Sequence, residues 1–354
     1  MCAEHRQQPG RGSSFNSVMS EGAPAAGVVD YLRGASVCAV IVTYNVGETI
    51  HQCFNAIHNQ VGHVILVDNG SDERTRHELD KLASQDSVTV ILNERNEGIA
   101  RAMNQGVEVA RGMGFRWVLT LDHDSKATPD MVDKLLHAYE TLSKQGHRDV
   151  GIIAANPFDE NAGVFLNRIR PGDNGDQPVE ADFLLSSGSM IPCSVLGAVG
   201  LFDEALFVYF VDSDYCLRLR RAGFRLFLCP GAVLMHREGE KQKRRFLGRE
   251  MFYERTRKPA RYYLTRNRIY FRRKHRLSFY FPYTGAKDFI KEFIKDYAKV
   301  VLYDEKPLAE IALALRGLFD ALRNRYGPLE ANDSGTAPAQ GLSNKADGGG
   351  SHGV

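Results

Sequence analysis

Trp117-Val118-Leu119-Thr120-Leu121-Asp122-His123-Asp124-Ser125 is the stretch that decides the fold. A mostly apolar run leads into two carboxylates with one residue between them. Such a run reads as a strand buried on both faces, the kind found in parallel sheets covered by helices. In those sheets ligands bind beyond the carboxyl ends of the strands. Asp122 and Asp124 would therefore arrive where a diphosphate and its cation sit, and carboxylates are suitable hard donors for a divalent ion. A second reading stays open here. Strand-end aspartates also cap helices and turns, and Ser125 to Met131, with Pro129 near a first helical position, has the composition of a helix start.

The same alternation repeats upstream. Val37 to Val42, Val64 to Val67 and Val88 to Leu92 predict buried strands, with helices expected near 47–59, 72–84 and 98–112, and another at 129–144. Strands alternating with helices imply an α/β fold with a doubly wound, largely parallel sheet. The later part is less regular and suits a mixed sheet. It predicts strands at 150–155, in Ala181 to Ile191 and at 225–229, a polar loop over 157–178, and a helix around 212–222. Beyond 285, two amphipathic helices are expected. One carries Phe289, Ile290, Phe293, Ile294, Tyr297 and Val301; the other opens at Pro307 with Leu308, Ile311, Leu315, Leu318, Phe319 and Leu322. Core packing is the plain reading of both stripes, and membrane-surface or homo-oligomer contact is the alternative. Residues 1–34 and 329–354, rich in small residues and without apolar periodicity, are expected to be disordered tails.

With 354 residues and 43% hydrophobic content, the chain can bury a full core. Six scattered cysteines, with no Cys-x-x-Cys and no leader-like segment ahead of them, suggest neither a zinc site nor a disulfide framework, and a reducing cytoplasm is expected. No run reaches the roughly 18 apolar residues that a membrane span requires. The formal net charge of +2 conceals a segregation: residues 241–276 hold fifteen Lys and Arg against two Glu, a local +13 that leaves −11 elsewhere. Aromatic residues interleave with these charges, which predicts ordered helices rather than a floppy arm. The expected partners of this face are ligand phosphates or anionic lipid at a membrane periphery, not nucleic acid.

Other polar groups should meet the same sheet edge. The first strand runs into Thr43-Tyr44-Asn45 and the second ends in Asp68-Asn69-Gly70-Ser71. Asp68 could pair with the imide and ribose of a pyrimidine nucleoside, while Thr43 and Asn45 offer a hydroxyl and an amide; turn chemistry explains Asn69-Gly70-Ser71 as well. In Asn96 to Gly106, small residues and amides stand at the start of a helix, where backbone could approach a nucleotide, although Gly98 could equally serve packing. Ser186-Ser187-Gly188-Ser189 offers a small hydroxyl-rich stretch for a sugar. Val211-Asp212-Ser213-Asp214 supplies a second carboxylate pair beside what reads as an apolar strand end, the placement a general base requires. Arg218, four residues beyond Asp214, could hold that side chain, leaving Asp212 the freer group. His236 could complete a metal shell with Asp124.

Taken in order, these segments resemble the family 2 inverting glycosyltransferases of the GT-A fold, and within them the bacterial rhamnosyltransferases. The resemblance spans about residues 36 to 275, including Leu121-Asp122-His123-Asp124-Ser125 and Tyr262-Tyr263-Leu264-Thr265-Arg266-Asn267. It implies a GT-A domain over 35–284, with a nucleotide-binding half to about 125 and an acceptor half after it, followed by helices over 285–328. It implies a nucleotide-sugar site of Thr43, Tyr44, Asn45, Asp68, Asn69, Asn96, Gly98, Ala102, Asn104, Asp122, His123, Ser187 and Gly188. Mg²⁺ or Mn²⁺ would be held by Asp124, His236 and Asp122, with Asp212 as catalytic base. The implied reaction takes L-rhamnose from dTDP-β-L-rhamnose to a hydroxyl of a growing cell-surface glycan or lipid-linked saccharide. Such relatives usually carry Gln at the place of His123 and Glu-Trp at that of Asp214-Tyr215. A UDP- or GDP-sugar donor is the alternative within the family. A sugar nucleotidyltransferase, attacking the α-phosphate, is a rival enzyme, and a basic module binding membrane or nucleic acid is a rival that leaves both carboxylate pairs unexplained.

Overall fold

In a computed structural model, which describes residues 34–167, 169–236, 241–246, 249–254, 259–276, 297–298, 302 and 307–329, the first strand β1 (Val37–Thr43) is buried at every position. Its alternate side chains point to opposite faces of the sheet. Val37, Ala39 and Ile41 join one apolar cluster with helices α1 (Ile50–Ile57), α2 (Glu73–Ala83) and α4 (Met131–Lys144). Cys38, Val40 and Val42 join a second with α3 (Ile99–Gly112), α5 (Cys193–Val199) and α6 (Val211–Arg221). A strand with two apolar faces has to be covered twice, which is why the chain winds helices onto both sides.

β1 pairs in parallel with β2 (His63–Asp68) on one side and β4 (Trp117–Asp122) on the other, and β3 (Val88–Leu92) extends the sheet beyond β2. The full order is β3-β2-β1-β4, then β9 (Ser189–Pro192), β6 (Val150–Asp159), β10 (Arg225–His236) and β5 (Lys126–Ala127), with the two-residue β7 (Val164–Phe165) pairing with β6. β9 runs antiparallel to both β4 and β6, and β6 is parallel to β10. The chain reverses direction across the sheet between β1 and β4, so the crevice for a ligand opens at their carboxyl ends. Register places Thr43 opposite Asp68 and Val42 opposite Asp122 at that edge.

The strands and helices expected in the first half are present, and the helix expected over 47–59 is α1 flanked by short 3₁₀ turns. Three later expectations need correction. The segment 181–191 divides into β8 (Val179–Ala181) and β9, because Gly188 takes a φ of +82° and turns the chain between them. The strand expected at 225–229 continues through Ala232 to Met235 as one β10, irregular between Cys229 and Val233 where Pro230 and Gly231 interrupt the ladder. The basic stretch is not helical throughout. Lys241–Phe246 (β11) and Arg249–Glu254 (β12) form an antiparallel hairpin, and helix α7 (Ala260–Lys274) follows. Phe252 and Tyr253 favour a strand as readily as a helix, and the charge count could not distinguish them.

Of the two C-terminal amphipathic helices, the second is present as α8 (Pro307–Leu322). It packs on α7, where Gly317 lies against the backbone of Tyr262 and Tyr262 Oη donates to Asp320 at 2.9 Å. Apart from residues 297 and 298, the first of them lies outside the described residues, as do the boundary at 284 and almost all of the two tails.

Close packing of α3 on the sheet rests on Gly106, where an added Cβ would stand 2.4 Å from a methyl of the stiff, fully buried Val40. Gly106→Ala is expected to destabilise the protein by about 1–3 kcal/mol, outweighing the ~1 kcal/mol that alanine gains in helix propensity. A lower urea midpoint checks this; an unchanged or higher one would show that Val40 makes room.

Candidate active site

The strand β4 ends at Asp122, and β5 (Lys126–Ala127) then pairs antiparallel with the far end of β10, Met235 opposite Lys126. This two-residue ladder brings His236 to the carboxylates. Ligand atoms of Asp122, Asp124 and His236 all lie within 4.8 Å of one another. Ser125 Oγ is 3.0 Å from His236 Nδ1 and 2.9 Å from Ser187 Oγ, and Ser187 Oγ accepts the Asp122 amide at 3.0 Å. Ser125, singled out in the sequence only as part of a helix start, thus holds the imidazole in place. The capping alternative for the aspartates fails, because α4 begins at Met131 and its N-cap is Asp130.

Asp122 is half-buried and its carboxyl is pushed up to about 8, by burial first and then by the charges of Asp124 and Asp212. Asp212 therefore lies close enough for its charge to act on Asp122. Burial raises its carboxyl as well, opposed by hydrogen bonds from Ser186. Asp212 lies in the first turn of α6 and not at a strand end; residues 207–210 before it are a turn, with Phe207, Tyr209 and Phe210 at positive φ. Neither Asp212 nor Asp214 caps α6 through its side chain.

Asp214 has the anticipated ion pair with Arg218, at 2.8 Å. It is fully buried and also meets Lys274 at 2.7 Å and His275 at 2.8 Å, both at the end of α7. Burial alone would raise this carboxyl; hydrogen bonds from His275 and Lys274, with the charges of Lys274 and Arg218, overcome it and hold it down at about 2. The group is a strut between α6 and α7.

The residues expected at the nucleotide are placed as follows in the fold. Thr43 Oγ1 donates to Asp68 Oδ1 at 3.3 Å, the Ser71 amide to Asp68 Oδ2 at 3.1 Å, and Arg76 stands 3.5 Å away, so the fully buried Asp68 carboxylate is engaged internally. Asn45 accepts from the Asp72 amide, with half-buried Tyr44 beside it. Asn69 and Asn96 bond each other and the amides of Glu97 and Gly98, which fixes the loop before α3. His123 Nδ1 is 3.2 Å from the Val42 carbonyl, at the rim of the crevice. Gly188 donates to the Thr120 carbonyl at 2.8 Å and supports the end of β4. Two expected ligands of the nucleotide sugar point elsewhere. Ala102 lies in the core, and buried Asn104 bonds the Phe202 backbone and Glu204, tying α3 to the 202–204 segment. Their helical positions put them on the inward face, which motif position alone does not reveal. At Gly98 an added Cβ would strike Phe207 at 2.6 Å, so the missing side chain admits the 207 segment rather than the sheet.

Residues 38–174 match the glycosyl transferase family 2 description. That match takes in the doubly wound half of the sheet together with the carboxylates at its reversal point, the same part of the chain that resembles the family 2 glycosyltransferases of the GT-A fold. Among particular proteins the chain is similar to the dTDP-rhamnosyl transferase RfbF of Shigella flexneri, 29% identical over 216 residues that cover 58% of this chain and 71% of that one. It is also 22% identical over 315 residues to the low-salt glycan biosynthesis hexosyltransferase Agl10 of Haloferax volcanii, covering 82% and 92%. Among solved structures it is similar to the mannosyltransferase PcManGT from Pyrobaculum calidifontis in complex with GDP-Man and Mn²⁺, at 15% identity and a TM-score of 0.49 over 82% of this chain and 88% of that one.

The Asp214 strut has a pH signature. Its folded-state pKa lies below the ordinary value, so its stabilisation is complete above the unfolded value near 4 and is lost as pH falls toward about 2. Asp214→Asn is expected to cost about 2–4 kcal/mol at neutral pH, and its gap from the parent protein should close on acidification through that window. Denaturant titrations at several pH values measure this; no gap at neutral pH would remove the strut from the account.

Proposed function

We propose that the protein transfers L-rhamnose from dTDP-β-L-rhamnose to a hydroxyl of a growing cell-surface glycan, with inversion at the anomeric carbon. The observation that carries the reading is the meeting of Asp122, Asp124 and His236 with Asp212 at the crevice where the sheet reverses. Likeness to the Shigella rhamnosyl transferase, together with Leu121-Asp122-x-Asp124-Ser125 and Tyr262-Tyr263-x-x-Arg266-Asn267, supports rhamnose as the sugar and dTDP as its carrier.

The donor set of two carboxylates and an imidazole fits a hard or borderline divalent cation such as Mg²⁺ or Mn²⁺. When bound, the ion neutralises charge on the departing diphosphate. Ser125 orients His236 for that role, and Ser187 fixes the backbone from which Asp122 projects. Asp212 takes the proton of the acceptor hydroxyl as its oxygen bonds to the anomeric carbon, while the bond from that carbon to the diphosphate breaks. A carboxyl raised by burial is better suited to accept that proton than an ordinary surface aspartate. The segments before about 125 bind the nucleotide and those to 284 the acceptor. No described helix is long and apolar enough to cross a membrane, and the basic 241–276 segment suits a lipid-linked acceptor at the inner membrane face. A UDP- or GDP-sugar donor is the competing reading. Thermal shifts with dTDP-rhamnose, UDP-sugars and GDP-sugars, each with metal, decide between them.

Asp124→Ala is expected to abolish metal-dependent dTDP binding, because Asp124 is the exposed carboxylate of the cluster and none of the other members can take its position. Calorimetry with and without Mn²⁺ measures it, and unchanged affinity with unchanged metal dependence would sink the metal assignment.

Asp212→Asn should separate binding from catalysis. Loss of a positioned base typically costs about 10² to 10⁴ in rate, while the donor dissociation constant should stay within about threefold. Near-normal turnover of this variant would show that α6 does not carry the base.

A further inference from the structure

The Tyr-Tyr-x-x-Arg-Asn string on α7 has so far had no part in the site. Arg266 and Asn267 are both fully buried. Asn267 Nδ2 donates to the carbonyls of Leu206, Val208 and Tyr209 at 2.7, 2.6 and 3.2 Å. One guanidinium nitrogen of Arg266 reaches the Ala205 and Leu206 carbonyls at 3.1 and 3.0 Å, and its Nε donates to Asn267 Oδ1 at 2.9 Å, which sets the direction of the amide. Arg266 also lies over the Tyr262 and Tyr263 rings at 5.3 and 4.9 Å. Both side chains therefore converge on one short stretch of backbone.

That stretch is strained. Phe207, Tyr209 and Phe210 take φ values of +65°, +61° and +63°, where a Cβ crowds the backbone. Glycine would meet the geometry without strain, yet three aromatic residues occupy it. Phe207 is fixed from two further sides: its ring stacks on Tyr263 at 4.9 Å, and its carbonyl accepts from the Ile99 amide at 2.8 Å, an approach open only because residue 98 lacks a side chain. Phe210 is the N-cap of α6, two residues before Asp212. Strain of this kind persists only where its surroundings over-determine it.

We infer that Arg266 and Asn267 are positioning residues for the transfer reaction. By holding the carbonyls of residues 205–209, they keep the strained turn in the conformation that aims the first turn of α6, and so Asp212, at the reacting carbon. The inference rests on Asp212 as the base. Simple packing would also place donors opposite these carbonyls, but packing alone predicts a loss of stability with no particular link to Asp212.

A double-mutant cycle tests the link. Asn267→Ala in the full chain is expected to lower kcat about 10- to 100-fold with the dTDP dissociation constant within about threefold, and to change the residual turnover of Asp212→Asn by less than about threefold. An equal loss in both backgrounds, or normal turnover of Asn267→Ala beside an inactive Asp212→Asn, overturns the positioning role and leaves the base assignment intact. Normal turnover of Asp212→Asn overturns the base assignment, and the positioning role with it. Should Asn267→Ala fail to fold, Tyr209→Gly and Tyr209→Ala decide: both remove the ring, but only glycine releases the backbone. The glycine variant is expected to melt higher than the alanine variant and to turn over several-fold more slowly, and equal turnover overturns the proposal.

Discussion

Several like charges in a half-dry crevice are the constraint around which this molecule is organised. Asp122, Asp124 and Asp212 arrive from two different elements, and the field of the other two, after burial, is what raises Asp122. Such an arrangement costs free energy unless a proton or a cation is supplied. The parallel register of β1, β2 and β4 sends the first two carboxylates to the edge of the sheet, and the β5–β10 ladder adds an imidazole that could share in holding an ion. The sheet therefore builds a demand for positive charge at the place where a phosphate-bearing ligand would also need it.

The remaining acids show what a satisfied carboxylate looks like in the same protein. Asp214 is matched by Arg218, Lys274 and His275, and Asp68 by the Ser71 amide, Thr43 and Arg76. Among the described residues no Lys or Arg is paired with Asp122, Asp124 or Asp212, although fifteen basic residues stand in the 241–276 segment. The contrast separates struts from candidates for chemistry. It also explains why α6 tolerates two aspartates in its first turn: one is held among cations and ties two helices together, and its neighbour two positions away is held by hydrogen bonds from Ser186.

Much of this was legible in the chain because it depends on local rules. Apolar runs bounded by turn residues marked β1 to β4 and their helices, and the Asp122-x-Asp124 spacing marked the carboxylates that meet His236. The lapses occur where tertiary contact decides. Helical phase turned Asn104 and Ala102 inward, and only the approach of the 205–210 turn shows that Gly98 makes room for Phe207. The hairpin at 241–254 was hidden by a charge pattern compatible with either secondary structure. The positive φ of three aromatic residues has no signature in sequence, since aromatic residues are poor candidates for that conformation.

The departures from the rhamnosyltransferase pattern can now be weighed by position. Asp214 and Tyr215 replace the usual Glu-Trp, but both are buried behind the crevice, Asp214 in its ionic strut and Tyr215 in the core against Phe202, with Arg218 over its ring. Side chains in such places set the packing of α6. His123 differs in kind. It stands between the two carboxylates of the Asp-His-Asp sequence, half-buried at the rim, with its ring against the Val42 carbonyl where β1 ends. A neutral imidazole there offers one N–H donor and one acceptor nitrogen, where the amide of glutamine offers two N–H donors and a carbonyl oxygen. If the donor differs from that of the rhamnosyl relatives, the physical cause is therefore to be sought at His123 and not at the pair on α6.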